Sequence, residues 1–153
     1  MEKASKARLV AFLLPLALLA GALGSQYIGG LHPCEMCYWQ RWPHGAAIVL
    51  AALSFVTRNG TSRLLTVLAA VAIAISGAIG VYHAGVEAGI FQGLTTCTAN
   101  GAQTLNDILN APLVRCDQVQ FSFLGISMAG WNAILSLTGA VIILVLLLKD
   151  RRA

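Results

Sequence analysis

The chain has 153 residues, 58% of them hydrophobic and 10% charged, with a formal net charge of +4 and a mean hydropathy of +0.76. A soluble domain carries roughly 25% charged residues, so this composition argues first for a membrane protein. The basic excess does not point to nucleic acid, because Lys and Arg sit beside apolar runs and form no stripe interleaved with aromatics.

Leu9 to Ile28 carries no charge and follows Lys3, Lys6 and Arg8. Its length suits a hydrocarbon core of about 30 Å, so 9–28 is predicted as the first span. A cleavable signal peptide is the competing reading, since Ala22-Leu23-Gly24 before Ser25 resembles a cleavage site. A short turn holding Gly29, Gly30, His32, Pro33 and Cys34 leads to a second span over 38–57, with Pro43 near its outer end. The basic turn Arg58-Asn59-Gly60-Thr61-Ser62-Arg63 precedes a third span, 64–82, rich in the small residues that allow close helix approach.

Residues 83–120 form the one long polar segment. Within it Leu105, Ile108, Leu109 and Leu113 recur at helical spacing and predict a short interfacial helix. The fourth span is predicted over 121–148, before Lys149-Asp150-Arg151-Arg152. Trp39, Trp42 and Trp131 read as an interfacial aromatic belt. The fold expected is an all-α membrane protein, a four-transmembrane-helix bundle forming one domain over 1–153.

Eight of the ten basic residues fall at the chain ends or between spans two and three; only Arg41 and Arg115 fall on the other side. By the positive-inside rule both termini are cytoplasmic, and the loops 29–37 and 83–120 face outward. All four cysteines, Cys34, Cys37, Cys97 and Cys116, are therefore expected on the oxidising side. Of the three possible pairings, the short separation favours Cys34 with Cys37, leaving Cys97 with Cys116.

The two pairs differ chemically. A Cys-x-x-Cys opening a helix is a redox arrangement, because both sulfurs share a face and the helix N-terminus favours a thiolate. Arg41 continues that face, four residues beyond Cys37. It either snorkels to the headgroups or donates hydrogen bonds to the carbonyl of a lipid-soluble oxidant. Cys97 and Cys116 are either a structural staple or an exposed disulfide that exchanges with an outside thiol. A zinc site on the four thiolates, with His32, His44 or His83 as further ligands, is disfavoured because the second cysteine spacing is not that of a zinc knuckle; no metal is expected. His83 is placed beside Arg41 at the outer edge of the bundle.

The segment Pro33-Cys34-Glu35-Met36-Cys37-Tyr38-Trp39-Gln40-Arg41, with His83, the two later cysteines and Phe123-Leu124-Gly125-Ile126, resembles the disulfide bond formation protein B (DsbB) family. The resemblance covers nearly the whole chain. It implies a bacterial inner-membrane oxidoreductase that reoxidises a periplasmic thioredoxin-fold disulfide oxidase of DsbA type. Electrons would enter at Cys97-Cys116, through a mixed disulfide on Cys97, and pass to Cys34-Cys37. A membrane quinone near Arg41 and His83, ubiquinone ranked ahead of menaquinone, would receive them from Cys37. A vitamin K epoxide reductase-like enzyme and a non-catalytic scaffold with two structural disulfides are the alternatives. The first of these carries its Cys-x-x-Cys late in the chain.

Overall fold

The computed structural model describes residues 2–93 and 114–151. Its elements are α1 (Glu2–Tyr27), α2 (Glu35–Val56), α3 (Asn59–Glu87), β1 (Ser122–Phe123), β2 (Ile126–Ser127) and α4 (Met128–Arg151). The four helices run alternately up and down. At one end Arg8 of α1 donates to the Ser54 carbonyl at 3.4 Å and Arg63 of α3 to the Leu147 carbonyl at 2.8 Å. Both chain ends therefore lie at the end opposite Cys34.

Three helices, α1, α3 and α4, are long and apolar enough to cross a membrane. The fourth, α2, has 22 residues, about 33 Å at 1.5 Å per residue, which is enough length. Its lower apolarity comes from Gln40, Arg41 and His44 near its start.

Helix bounds differ from the predicted spans in ways that matter for the site. Cys34 is the N-cap of α2, with extended backbone, and the Cys37 amide donates to its sulfur at 3.4 Å. This places the helix start ahead of 38 and leaves Pro43 inside it. Most of the basic turn 58–63 belongs to α3, which begins at Asn59.

The far end of α3 runs through His83 to Glu87, so His83 is helical and not part of a loop. A Schellman motif stops it: Gly89 (φ 71°) donates to the Val86 carbonyl at 3.0 Å and Ile90 to the Gly85 carbonyl at 2.8 Å. The apolar stretch from Phe121 opens as a hairpin, with Ser122 opposite Ser127 and Phe123 opposite Ile126. Ser127 Oγ then accepts from the Gly130 amide at 3.1 Å and caps α4. The expected interfacial helix around 105–113 lies outside the described residues, as does Cys97.

The interior is layered. Towards the chain ends it is built of Ala7, Ala11, Ala47, Ala51, Ala69, Ala70, Ile73 and Ile143, whose small side chains bring the backbones close. At the opposite end Cys34, Met36, Val86, Val114 and Cys116 form a separate buried cluster. Between the two sits a band of polar side chains from α2, α3 and α4.

Candidate redox site

Cys34 and Cys37 open α2 because Pro33 holds the preceding chain extended and Cys34 supplies the capping atom a serine would ordinarily provide. Their sulfurs lie 3.0 Å apart. His83 approaches from α3 with Nε2 at 3.5 Å from Cys34 Sγ. Cys116 arrives from the segment before the hairpin, and the sulfurs of Cys34 and Cys116 and a ring nitrogen of His83 all lie within 4.8 Å of one another. All three residues are buried. Three of the four sequence-nominated cysteines thus converge with His83 on one point.

The Cys34 thiol is pushed above its ordinary range by its hydrogen bond with Cys37 and by burial. That direction favours ionisation at Cys37 over Cys34. Cys37 lies in the first turn of α2, where backbone N–H groups favour negative charge.

Arg41 is half-buried and does not extend freely to the surface. Its guanidinium donates to Gln26 Oε1 and to the Ala22 carbonyl, the latter at 3.2 Å, and it lies over the Tyr38 ring at 5.2 Å. These contacts tie the start of α2 to the last turns of α1, where a cation suits the exposed carbonyls. Arg115 forms a two-pronged ion pair with Asp117 on the surface.

Beside the sulfurs is a cavity of about 610 Å³ bordered by Cys37, Arg41, His83, Leu18, Met128 and Trp131. Its volume is that of a small-molecule site. Apolar walls from α1 and α4 with an arginine and a histidine at one end suit a flat, largely apolar molecule carrying carbonyl acceptors.

Several polar residues at the site were not nominated from sequence. Glu87, one turn beyond His83, places Oε1 at 3.8 Å from His83 Nε2, and its other carboxylate oxygen has no partner among the described residues. Gln40 reaches His83 Nδ1 at 2.8 Å. Asn132 of α4 donates to Gln40 Oε1 at 2.7 Å, and His44 and Ser76 join the same network. A usable signal existed: an isolated amide such as Asn132 inside an apolar span marks an internal partner.

A helical membrane bundle that gathers Cys34, Cys37 and Cys116 at one end, beside a cavity, is built for thiol chemistry. Comparison with known proteins agrees. The family model described as "Disulfide bond formation protein DsbB" matches residues 4–146. Proteins named "Disulfide bond formation protein B" from Acidovorax sp. (strain JS42) and Polaromonas sp. (strain JS666 / ATCC BAA-500) are 30% and 26% identical over 148 and 147 residues. Each alignment covers 89% of this chain, with 83% and 86% of the respective relative. "Uncharacterized protein RP370" of Rickettsia prowazekii (strain Madrid E) is 26% identical over 137 residues, 84% of this chain and 79% of its own length. No solved structure matches the chain.

The chain belongs to the DsbB family: it is a multi-pass membrane oxidoreductase that forms disulfide bonds.

Proposed function

We propose that this protein reoxidises a periplasmic thioredoxin-fold disulfide oxidase and passes the electrons to a membrane quinone. The observation that carries the reading is the convergence of Cys34, Cys37 and Cys116, with Cys34 placed between the other two as a transfer point. The protein would lie in the bacterial inner membrane as four spans, with α2 as the second and both termini cytoplasmic. This puts eight basic residues inside and the cysteine end in the periplasm.

The closeness of Cys34 to both Cys37 and Cys116 supports a relay in this order. One thiolate of the reduced partner attacks Cys97, forming a mixed disulfide and freeing Cys116 as a thiolate; the partner's second thiol then attacks that mixed disulfide, so the partner leaves as a disulfide and Cys97 is left as a thiol. The Cys116 thiolate attacks Cys34 Sγ of the Cys34-Cys37 disulfide. The Cys116–Cys34 bond forms, the Cys34–Cys37 bond breaks, and Cys37 departs with the electron pair. Cys37 then stands at the edge of the cavity as the electron donor.

A bound quinone would supply an acceptor for two electrons and two protons. Its requirements match the residues present: apolar walls and the N–H donors of Arg41 for a carbonyl oxygen, with His83 lining the same cavity. The chemistry of the cavity does not discriminate ubiquinone from menaquinone.

The test is quinone reduction by the purified protein, driven by a reduced thioredoxin-fold oxidase. Cys34→Ala and Cys37→Ala should each abolish turnover. Unaltered turnover in either variant overturns the relay and returns the disulfides to a structural role.

A further inference from the structure

The polar band beneath the cysteines has ends that only accept hydrogen bonds, and this allows its protons to be placed. Gln40 Nε2 lies 3.1 Å from the Met36 carbonyl, so that atom is the amide nitrogen and donates. Gln40 Oε1 faces Asn132 Nδ2 at 2.7 Å, and Asn132 Nδ2 also donates to the Ser76 carbonyl at 3.2 Å. Reversing the Gln40 amide would set oxygen against the Met36 carbonyl and nitrogen against Asn132 Nδ2; reversing Asn132 would set oxygen against the Ser76 carbonyl. Both amides are therefore fixed by carbonyls of α2 and α3. Asn132 Oδ1 is left to accept from Ser136 Oγ and from His44 Nε2, each at 2.9 Å.

With its orientation fixed, Gln40 presents its second N–H to His83 Nδ1 at 2.8 Å. That ring nitrogen must be bare, and the ring proton lies on Nε2. We infer that Gln40 is a positioning residue that locks His83 as a neutral imidazole with its N–H aimed at Cys34 Sγ. The inference rests on the relay proposed above for its chemical use. As Cys116 attacks Cys34 and Cys37 leaves, negative charge spreads over the three sulfurs. His83 Nε2 stands 3.5 Å from Cys34 Sγ, the sulfur under attack, and offers its N–H to that charge without giving up the proton. The electron pair passes along the sulfurs and leaves on Cys37; His83 begins and ends neutral.

The same geometry argues against a metal ion at the Cys34, His83 and Cys116 cluster, although its spacing would suit one. An imidazole ligating through Nε2 carries its proton on Nδ1 and donates it outward. Here Nδ1 meets another donor.

The test uses the whole protein in lipid nanodiscs, freed of quinone, with ¹⁵N-labelled histidine. His83 is one of three histidines, and its signals are those lost in His83→Asn. The expected wild-type spectrum shows a protonated Nε2 and a bare Nδ1. Gln40→Glu replaces the donor by an acceptor, and the proton should move to Nδ1. Formation of the Cys34-Cys116 bond after addition of a dithiol should then slow about tenfold, as for loss of one hydrogen bond to a charged group. Gln40→Met, which removes the donor without adding charge, should give both tautomers and an intermediate rate. A wild-type Nδ1–H overturns the inference, as does a displaced proton with exchange at the wild-type rate, or slowed exchange with the tautomer unmoved. If wild type forms no Cys34-Cys116 bond, the relay fails, while the tautomer is still decided by the spectrum alone.

Discussion

Cys34 and Cys37 are the same residue type three positions apart, and the fold makes them unlike. Cys34 is buried and hydrogen-bonded to its neighbour, which pushes its ionisation above the range of an ordinary thiol, of pKa about 8.5. Alkylation requires the thiolate, so in the reduced protein Cys37 should be modified first at pH 8 and Cys34 should lag well above pH 9. Mass-spectrometric mapping of alkylated peptides across pH checks the order; equal labelling would mean the hydrogen bond between the sulfurs is not maintained. Arg41 carries a second residue-scale prediction. Arg41→Ala should weaken apparent quinone affinity about tenfold while the cysteines still pair, as read by quinone titration beside thiol counting. Because Arg41 also holds Gln26 and Ala22, a companion measurement of thermal unfolding separates that anchoring from the effect on affinity.

Among the elements, the contact of α3 with α4 decides where the polar band sits. A Cβ on Gly80 would lie 3.0 Å from both the Ala129 carbonyl oxygen and the Ala133 amide nitrogen, so the two backbones approach as closely as a glycine permits. That approach lets Asn132 reach the Ser76 carbonyl and Gln40. Gly80→Val should push the helices apart and cost about 1–3 kcal/mol of stability. It should also loosen the Asn132 contacts, so thermal unfolding and the histidine spectrum should change together. A normal unfolding midpoint in this variant would show that the helices can separate without loss. The end of α3 makes a related point: the helix does not stop where apolarity falls at Tyr82, because Gly89 supplies the left-handed turn that ends it.

For the molecule as a whole, the arrangement predicts a directional protein. The end where α1 starts and α4 finishes is basic and the other end bears Cys34, Cys37 and Cys116, so with the basic end cytoplasmic a membrane-impermeant maleimide added to intact cells after reduction should reach Cys37, the least buried of the three, from the outside. Labelling only after the cytoplasmic face is exposed would reverse the orientation. The layering also separates two tasks. The alanine-rich end supplies close packing, whereas the cysteine end keeps a cavity and a polar network that packing alone would not favour.

Much of this was legible before any coordinates. Long apolar runs and the sidedness of Lys and Arg respond to the membrane itself, and a helix within lipid must satisfy its own backbone, so helical spans follow from local sequence. The Cys-x-x-Cys at a helix start, with Arg41 one turn on, is likewise a local pattern, and it carried the family resemblance. What only the tertiary structure decided lies between helices. Cys116 meets Cys34 and His83 meets Gln40 across separations of 82 and 43 residues, which no periodicity encodes. Glycine at position 80 and Glu87 one turn past His83 read as ordinary residues in isolation, and Asn132 in an apolar span signals a partner without saying which. They acquire roles because buried polar atoms must find partners, and the packing of α2, α3 and α4 determines which partners are within reach.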